Sequence, residues 1–185
     1  LGHQAVLKAT VALAHKEGWR SAALSFEGPP EAALDQPVPL RLGHPQDDAA
    51  QMQATGLDAL YRIPFTRRLG RLSAEAFIRR VLLQRLRCKA VVVGQGFRFG
   101  AGAKGDAALL RRCGIQVLEL APLKRTGHLL SSTRLRHAVQ AGRLTEAATL
   151  LGRPWRLRGV VVKGRGLGST IGFPTANVVS PQQVL

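Results

Sequence analysis

The chain is 185 residues long, 45% apolar and 21% charged, enough for one domain with a sizeable core, or for one domain and part of a second. No apolar run approaches the roughly 18 to 20 residues of a membrane helix, and no secretory signal pattern is present, so no membrane partner is expected. Twenty-seven Lys and Arg against 11 Asp and Glu leave a net charge of +16, an attraction for polyanions that does not choose among nucleotides, nucleic acids and anionic surfaces.

Residues 3–16 read as a helix, with Val6, Leu7, Val11, Leu13 and Ala14 as its apolar stripe and Gly18 as its stop. AALSF, 22–26, reads as a short buried strand ended by Gly-Pro-Pro. Pro37, Pro39 and Pro45 argue against long elements in 31–55. Leu57 to Ile63 is a second strand closed by Pro64. Ser73 is a candidate N-cap for a helix to about Arg87, with Phe77, Ile78, Val81, Leu82 and Leu86 at helical spacing. KAVVVG, 89–94, is the strongest strand signal; Asp106 caps a helix through Leu110 and Cys113, and IQVLEL, 115–120, is another strand. This alternation predicts an α/β fold with a parallel sheet covered by helices on both faces. After Leu129 two short helices are expected near 132–140 and 144–151. LRGVVVKGRGLG then reads as the entrance to a β-domain, which places a boundary at about residue 153.

Cys88 and Cys113 lie 25 positions apart with no CxxC and no nearby His pair, so neither a zinc site nor a redox motif is expected. Idle thiols in a reducing cytoplasm fit better. Aromatics are 5% of the chain and the basic residues run along helices without interleaved aromatics, which weakens a single-strand-binding reading. Most of Arg67, Arg68, Arg79, Arg80, Arg85, Arg111 and Arg112 are read as solvated faces.

Four stretches carry residue types suited to phosphate chemistry. Gly2 and His3 stand at a helix start, where free backbone N–H groups and positive potential favour phosphate oxygens. By itself such a histidine reads as a solvated surface residue. VVVGQGFRFGAGAKGD, 91–106, runs from a strand into a loop holding Gly94, Gly96, Gly100, Gly102 and Gly105; in an open parallel sheet, ligands collect beyond the carboxyl ends of the strands. Its spacing is neither GxGxxG nor a Walker loop, and a surface loop has the same glycine content. LLSSTRLRHAV, 129–139, concentrates Ser131, Ser132, Thr133, Arg134 and Arg136 at a helix start, as caps or as phosphate ligands. GRGLGSTIGFPTANVV, 164–179, joins a glycine-rich turn to the Thr175 hydroxyl and the Asn177 amide around a rigid Pro174. Those are hard oxygens suited to Mg²⁺, or polar groups of an ordinary turn.

In order, LGHQAVL, IPFTRRLGRLSAEAFIRRVL, VVVGQGFRFGAGAKGD, SSTRLR and GFPTAN resemble the motifs of the prokaryotic bifunctional riboflavin kinase/FAD synthetase family across almost the whole chain. The resemblance implies a Rossmann-like nucleotidyltransferase domain over 1–153, lacking its first strand. The start of a riboflavin kinase β-barrel would follow over 154–185. It implies a cytoplasmic, ATP-dependent transferase that moves AMP from ATP onto FMN, giving FAD and pyrophosphate, while the second domain phosphorylates riboflavin to FMN. Its partners would be small-molecule flavins and ATP, with no specific nucleic acid. Carried over by position, His3 would be catalytic. Gly2, His3, Ser132, Thr133 and Arg136 would bind the nucleotide. Gly94, Phe97 and Phe99 would shape the flavin pocket. Gly172, Thr175 and Asn177 would form the kinase ATP/Mg²⁺ site, with Thr175 and Asn177 on the metal.

The chain departs from the family at SFEGPP, where Pro29 replaces a pocket histidine, at Gly96, where Asn or Asp is usual, and at Ser169, where Arg is usual. By this resemblance the chain is a fragment truncated at both ends, its kinase activity lost and its synthetase half impaired. Two other readings share parts of the pattern. A single-activity nucleotidyltransferase of the same fold would carry the first and third stretches but not GFPTAN. A basic nucleic-acid-binding module would use the charge alone and show steep salt dependence.

Overall fold

The computed structural model describes residues 2–39, 41–125, 127–164, 167–170, 172–173 and 175–180. The chain packs as two compact units, Leu1–Pro39 with Ala49–Leu130, and Leu40–Asp48 with Ser131–Leu185.

The first unit opens with helix α1, Gly2–Glu17, which stops where Gly18 takes φ +66°, a left-handed value that costs glycine little. Strand β1, Ala22–Glu27, follows and pairs in parallel with β2, Ala59–Pro64, in the register Ala22↔Ala59 to Glu27↔Pro64. Between them lie α2, Pro30–Ala33, and α3, Pro45–Gln53. The nine-residue α3 departs from the expectation of no long element in 31–55. Pro30 and Pro45 stand at first helical positions, where a missing N–H removes no helical hydrogen bond, and Asp47 and Asp48 lie in α3's first turn.

Where β1 and β2 begin, buried Ser21 and exposed Asp58 form a reciprocal clamp. Asp58 Oδ2 accepts from Ser21 N at 2.7 Å and Ser21 Oγ at 2.8 Å, Asp58 N donates to Ser21 Oγ at 3.1 Å, and Ala59 N donates to Ser21 O at 3.1 Å. This clamp sets the register one residue before the ladder starts.

Helix α4, Arg67–Gly70, is capped by Thr66, and α5, Ala74–Phe77, by Ser73, whose Oγ accepts from Ala76 N at 3.1 Å. The chain continues helically through Ile78–Arg85 with widened turns, Leu86 N donating to Val81 O five residues back. Arg87 at φ +49° then turns the chain towards β3, Ala90–Gly94, which pairs in parallel with β4, Gln116–Leu120. A short 3₁₀ turn, Ala101–Ala103, and α6, Ala107–Arg112, connect these strands. The core of this half joins Ile78, Leu82, Leu110 and Ile115, with Cys88 and Cys113 packed against it. Both cysteines are free; burial pushes the Cys88 thiol up, and its Sγ donates to Ala90 O at 3.1 Å. The unit closes with the antiparallel pair β5, Lys124–Arg125, and β6, His128–Leu129.

Both long pairs are parallel, as the alternation predicts, but among the described residues they form two separate two-stranded sheets, β1 with β2 and β3 with β4. Helix α1 packs against both β3 and β1.

In the second unit α7, Ser132–Gln140, packs on α8, Leu144–Leu151, through buried Leu135, Ala138, Val139, Ala147 and Leu150. Trp155 Nε1 donates to Leu42 O at 3.0 Å, and Arg158 pairs with Asp47 at 2.6 Å. Then come β7, Val160–Val162, α9, Leu167–Thr170, and β8, Asn177–Val179, which pairs antiparallel with β7. The described residues of this β segment form an exposed ribbon and no closed barrel.

The buried Ser21 hydroxyl both donates to the Asp58 carboxylate and accepts from Asp58 N, so Ser21→Ala is expected to cost about 1–2 kcal/mol in urea unfolding. The bonds from Ser21, helped by Arg20, hold the Asp58 carboxyl below its ordinary 3.8. The stability this confers is therefore complete above 3.8 and lost as pH falls through the lower folded value. Acid unfolding followed by circular dichroism should show a shallower fall in Ser21→Ala than in the wild type.

Candidate nucleotide and flavin site

Strand β3 ends on Gly94, and a tight turn follows in which Phe97 N donates to Gly94 O at 3.1 Å with Gly96 at φ +77°. Glycine, asparagine and aspartate are the residues that enter this left-handed region most readily. The Gly96 departure from the family pattern therefore falls where all three serve the same turn.

Beyond the turn the loop is built, not slack. Phe99 and Gly105 exchange backbone hydrogen bonds at 3.2 and 2.9 Å, and Ala101 N donates to Leu72 O at 2.8 Å. Gly100 and Gly105 lie directly on the start of α5. A Cβ on Gly100, at φ +74°, would stand 2.7 Å from Ala74 Cα; one on Gly105 would stand 2.7 Å from Ala74 Cβ and 2.8 Å from the Phe99 ring. Phe97 stacks on Phe99 at 5.6 Å between centroids and 17° between planes, and Phe99 meets Phe77 at 5.9 Å. Asp106 closes the loop by capping α6, Oδ1 accepting from Leu109 N at 2.8 Å, while Oδ2 pairs with Arg98 at 3.3 Å. The Leu109 amide first, then Arg98 and Arg112, hold the Asp106 carboxyl below its ordinary range. The outcome is a half-exposed aromatic stack, Phe97 being 39% exposed, displayed at the carboxyl end of a parallel strand.

Gly2 and His3 form the exposed first turn of α1, and Leu1 lies outside the described residues. In the second unit Ser131 is the N-cap of α7, its Oγ accepting from Arg134 N at 3.1 Å. The exposed hydroxyls of Ser132 and Thr133 make no hydrogen bond among the described residues, which leaves them available to a phosphate. Arg136 is half-buried on the same helix. Arg134, read with its neighbours as a cap or phosphate ligand, is committed to a carboxylate: its Nε donates to Glu146 Oε1 at 3.0 Å, because Glu146 faces it from α8.

In the last stretch Gly172 takes φ +79°, Phe173 N donates to Gly168 O at 2.8 Å, and Thr175 and Asn177 are exposed. A Cβ on Gly168 would stand 3.0 Å from Thr175 Oγ1, and one on Gly164 would overlap the Asn177 amide. The glycines thus leave the room that these two oxygen-bearing side chains occupy. Two neutral hard oxygens fit Mg²⁺ that keeps waters and phosphates as its other ligands. No group of three or more His, Cys, Asp or Glu suited to a metal occurs among the described residues. Pro174 and the Ser169 side chain lie outside them.

Not all the arginines read as solvated faces are idle. Arg67 pairs with Asp35 and Arg111 with Glu119, both at 2.8 Å. Arg68, Arg80 and Arg85, with Arg62, line an open cleft of about 720 Å³ floored by Leu24, Ile63 and Val81. Periodicity could not reveal this cleft, since its walls come from β1, β2 and the widened helix.

The sequence model of the family described as FAD synthetase matches residues 1–134. The chain belongs to that family. The riboflavin kinase family model matches residues 151–185. The bifunctional riboflavin kinase/FMN adenylyltransferase of Escherichia coli K12 is 36% identical over 99% of this chain and 60% of its own length. The protein of that name from Haemophilus influenzae is 33% identical over all of this chain and 61% of its own. A crystal structure named for a macrolide-efflux protein of Streptococcus pneumoniae superposes with a TM-score of 0.86 at 30% identity, over 98% of this chain and 60% of that one. The chain thus spans about three fifths of the length of these curated relatives.

The FAD synthetase loop tests its own construction. Gly96→Asn, in open space at φ +77°, should change stability by less than about 1 kcal/mol. Gly100→Ala, strained and against the Ala74 backbone, should cost about 2–4 kcal/mol in denaturant unfolding.

Proposed function

We propose that the chain carries the FMN adenylyltransferase step of FAD synthesis in residues 1–153 and the first part of a riboflavin kinase in 154–185. The observation that carries this reading is the family match over 1–134, together with a stacked aromatic loop at the carboxyl end of a parallel strand. Such a stack suits a planar isoalloxazine, with the close backbone of Gly94 beside it.

On this reading an FMN phosphate oxygen attacks the α-phosphorus of ATP in line, a P–O bond forms as the bond to the β-phosphate oxygen breaks, and pyrophosphate leaves with its electron pair. No covalent enzyme intermediate is needed, so the protein contributes position and charge. Gly2 and His3 donate to the triphosphate from the first turn of α1, with His3 meeting the charge that develops. Ser132, Thr133 and Arg136 hold phosphate oxygens from α7. In the second domain Gly172, Thr175 and Asn177 would hold a nucleotide with Mg²⁺, which neutralises phosphate charge when bound.

Calorimetric titration of the chain with ATP and with FMN, in Mg²⁺ buffer, tests the reading; binding of neither overturns it. Arg136→Ala should weaken ATP binding roughly tenfold, the worth of one charge-assisted contact. Phe97→Ala should weaken FMN and leave ATP unchanged. Chromatography of FMN, ATP and Mg²⁺ incubated with the chain then reports any FAD formed, and His3→Ala should lower that yield with little change in ATP affinity.

A further inference from the structure

Glu146 is the only Asp or Glu after Glu119, in a stretch that holds ten Lys and Arg. Its two oxygens are divided between two helix starts. Oε1 takes Arg134 Nε and Nη2, both at 3.0 Å, from the first turn of α7; Oε2 takes Arg143 Nε at 2.8 Å from the N-cap position of α8 itself. Arg143 is tied back to α7 as well, its backbone N donating to Ala138 O at 2.8 Å. Arg134 is the residue whose amide the Ser131 cap holds, so the carboxylate grips α7 at the turn that bears Ser132 and Thr133.

Resting on the reading above, we infer that Glu146 is a positioning residue for the phosphate-binding start of α7: it draws the Arg134 side chain onto α8 and orients the first turn, so that Ser132 and Thr133, and not Arg134, meet the ligand. Two features separate this from a surface ion pair of negligible worth. One carboxylate serves two arginines at once, and the pair spans two helices whose buried faces already fix their spacing. The buried residues of α7 and α8 are apolar, so the charged group adds direction where the apolar contacts add only proximity.

The test compares the wild type with Glu146→Gln. The Arg134 Nε–H resonance, read by nitrogen-15 NMR, should stand apart from the exposed arginines in the wild type and collapse among them in Glu146→Gln. ATP affinity should fall about fivefold in Glu146→Gln, while adenosine affinity should not change, because only the phosphates meet α7. A wild-type Arg134 signal indistinguishable from exposed arginines would overturn the inference whatever the chain binds. Equal losses for ATP and adenosine, or an ATP affinity unmoved by Glu146→Gln, would overturn it as well. A wild-type chain that keeps the distinct Arg134 signal yet binds no ATP would instead remove the functional reading, and with it the positioning role.

Discussion

The contact of Gly100 and Gly105 with Ala74 is the constraint on which the candidate flavin site depends. Two backbones meet there at a distance that leaves no room for a Cβ on either glycine. From that contact the loop runs in one direction through the Phe99–Gly105 bonds to the Phe97 stack. In the other it runs through Asp106 into α6, whose Leu110 lies in the core with Ile78 of the helix that Ala74 begins. The display of two aromatic rings at the end of β3 is thus bought with close packing that reaches the core.

Charge is organised in the same economical manner. With 27 Lys and Arg against 11 Asp and Glu, acids are scarce, and three of the carboxylates stand at points of register or direction. Asp58 sets the start of the β1–β2 ladder, Asp106 caps α6 and holds Arg98 over the loop, and Glu146 joins α7 to α8. The carboxylates at these positions are all held below their ordinary range, Asp58 and Asp106 first by backbone N–H groups and Glu146 by its two arginines. The remaining basic residues leave a field that favours phosphate-bearing ligands.

Much of the element order was legible because it is written in short-range signals. Ser73 and Asp106 accept from the amide three residues on, as cap chemistry demands, and Gly18 ends α1 in the left-handed region. Helices α7 and α8 run over the residues that spacing indicated. Proline misled at residue 45, since a ring that forbids a helix interior is welcome at its first turn. Of the three hydroxyls at the start of α7, the residue pattern did not say which one caps; the backbone gives that task to Ser131 and leaves Ser132 and Thr133 exposed.

The sequence by itself determined the alternation of helices and parallel strands, the glycines of the loop and the order of the five motifs, because caps, periodicity and turn residues act within a few positions of the chain. Only the tertiary structure decided that Arg134 faces Glu146, that the strands pair two by two among the described residues, and that Gly100 and Gly105 rest on Ala74. Those are contacts between residues twelve or more positions apart, and their partners are chosen by the packing of whole elements, which no local pattern encodes.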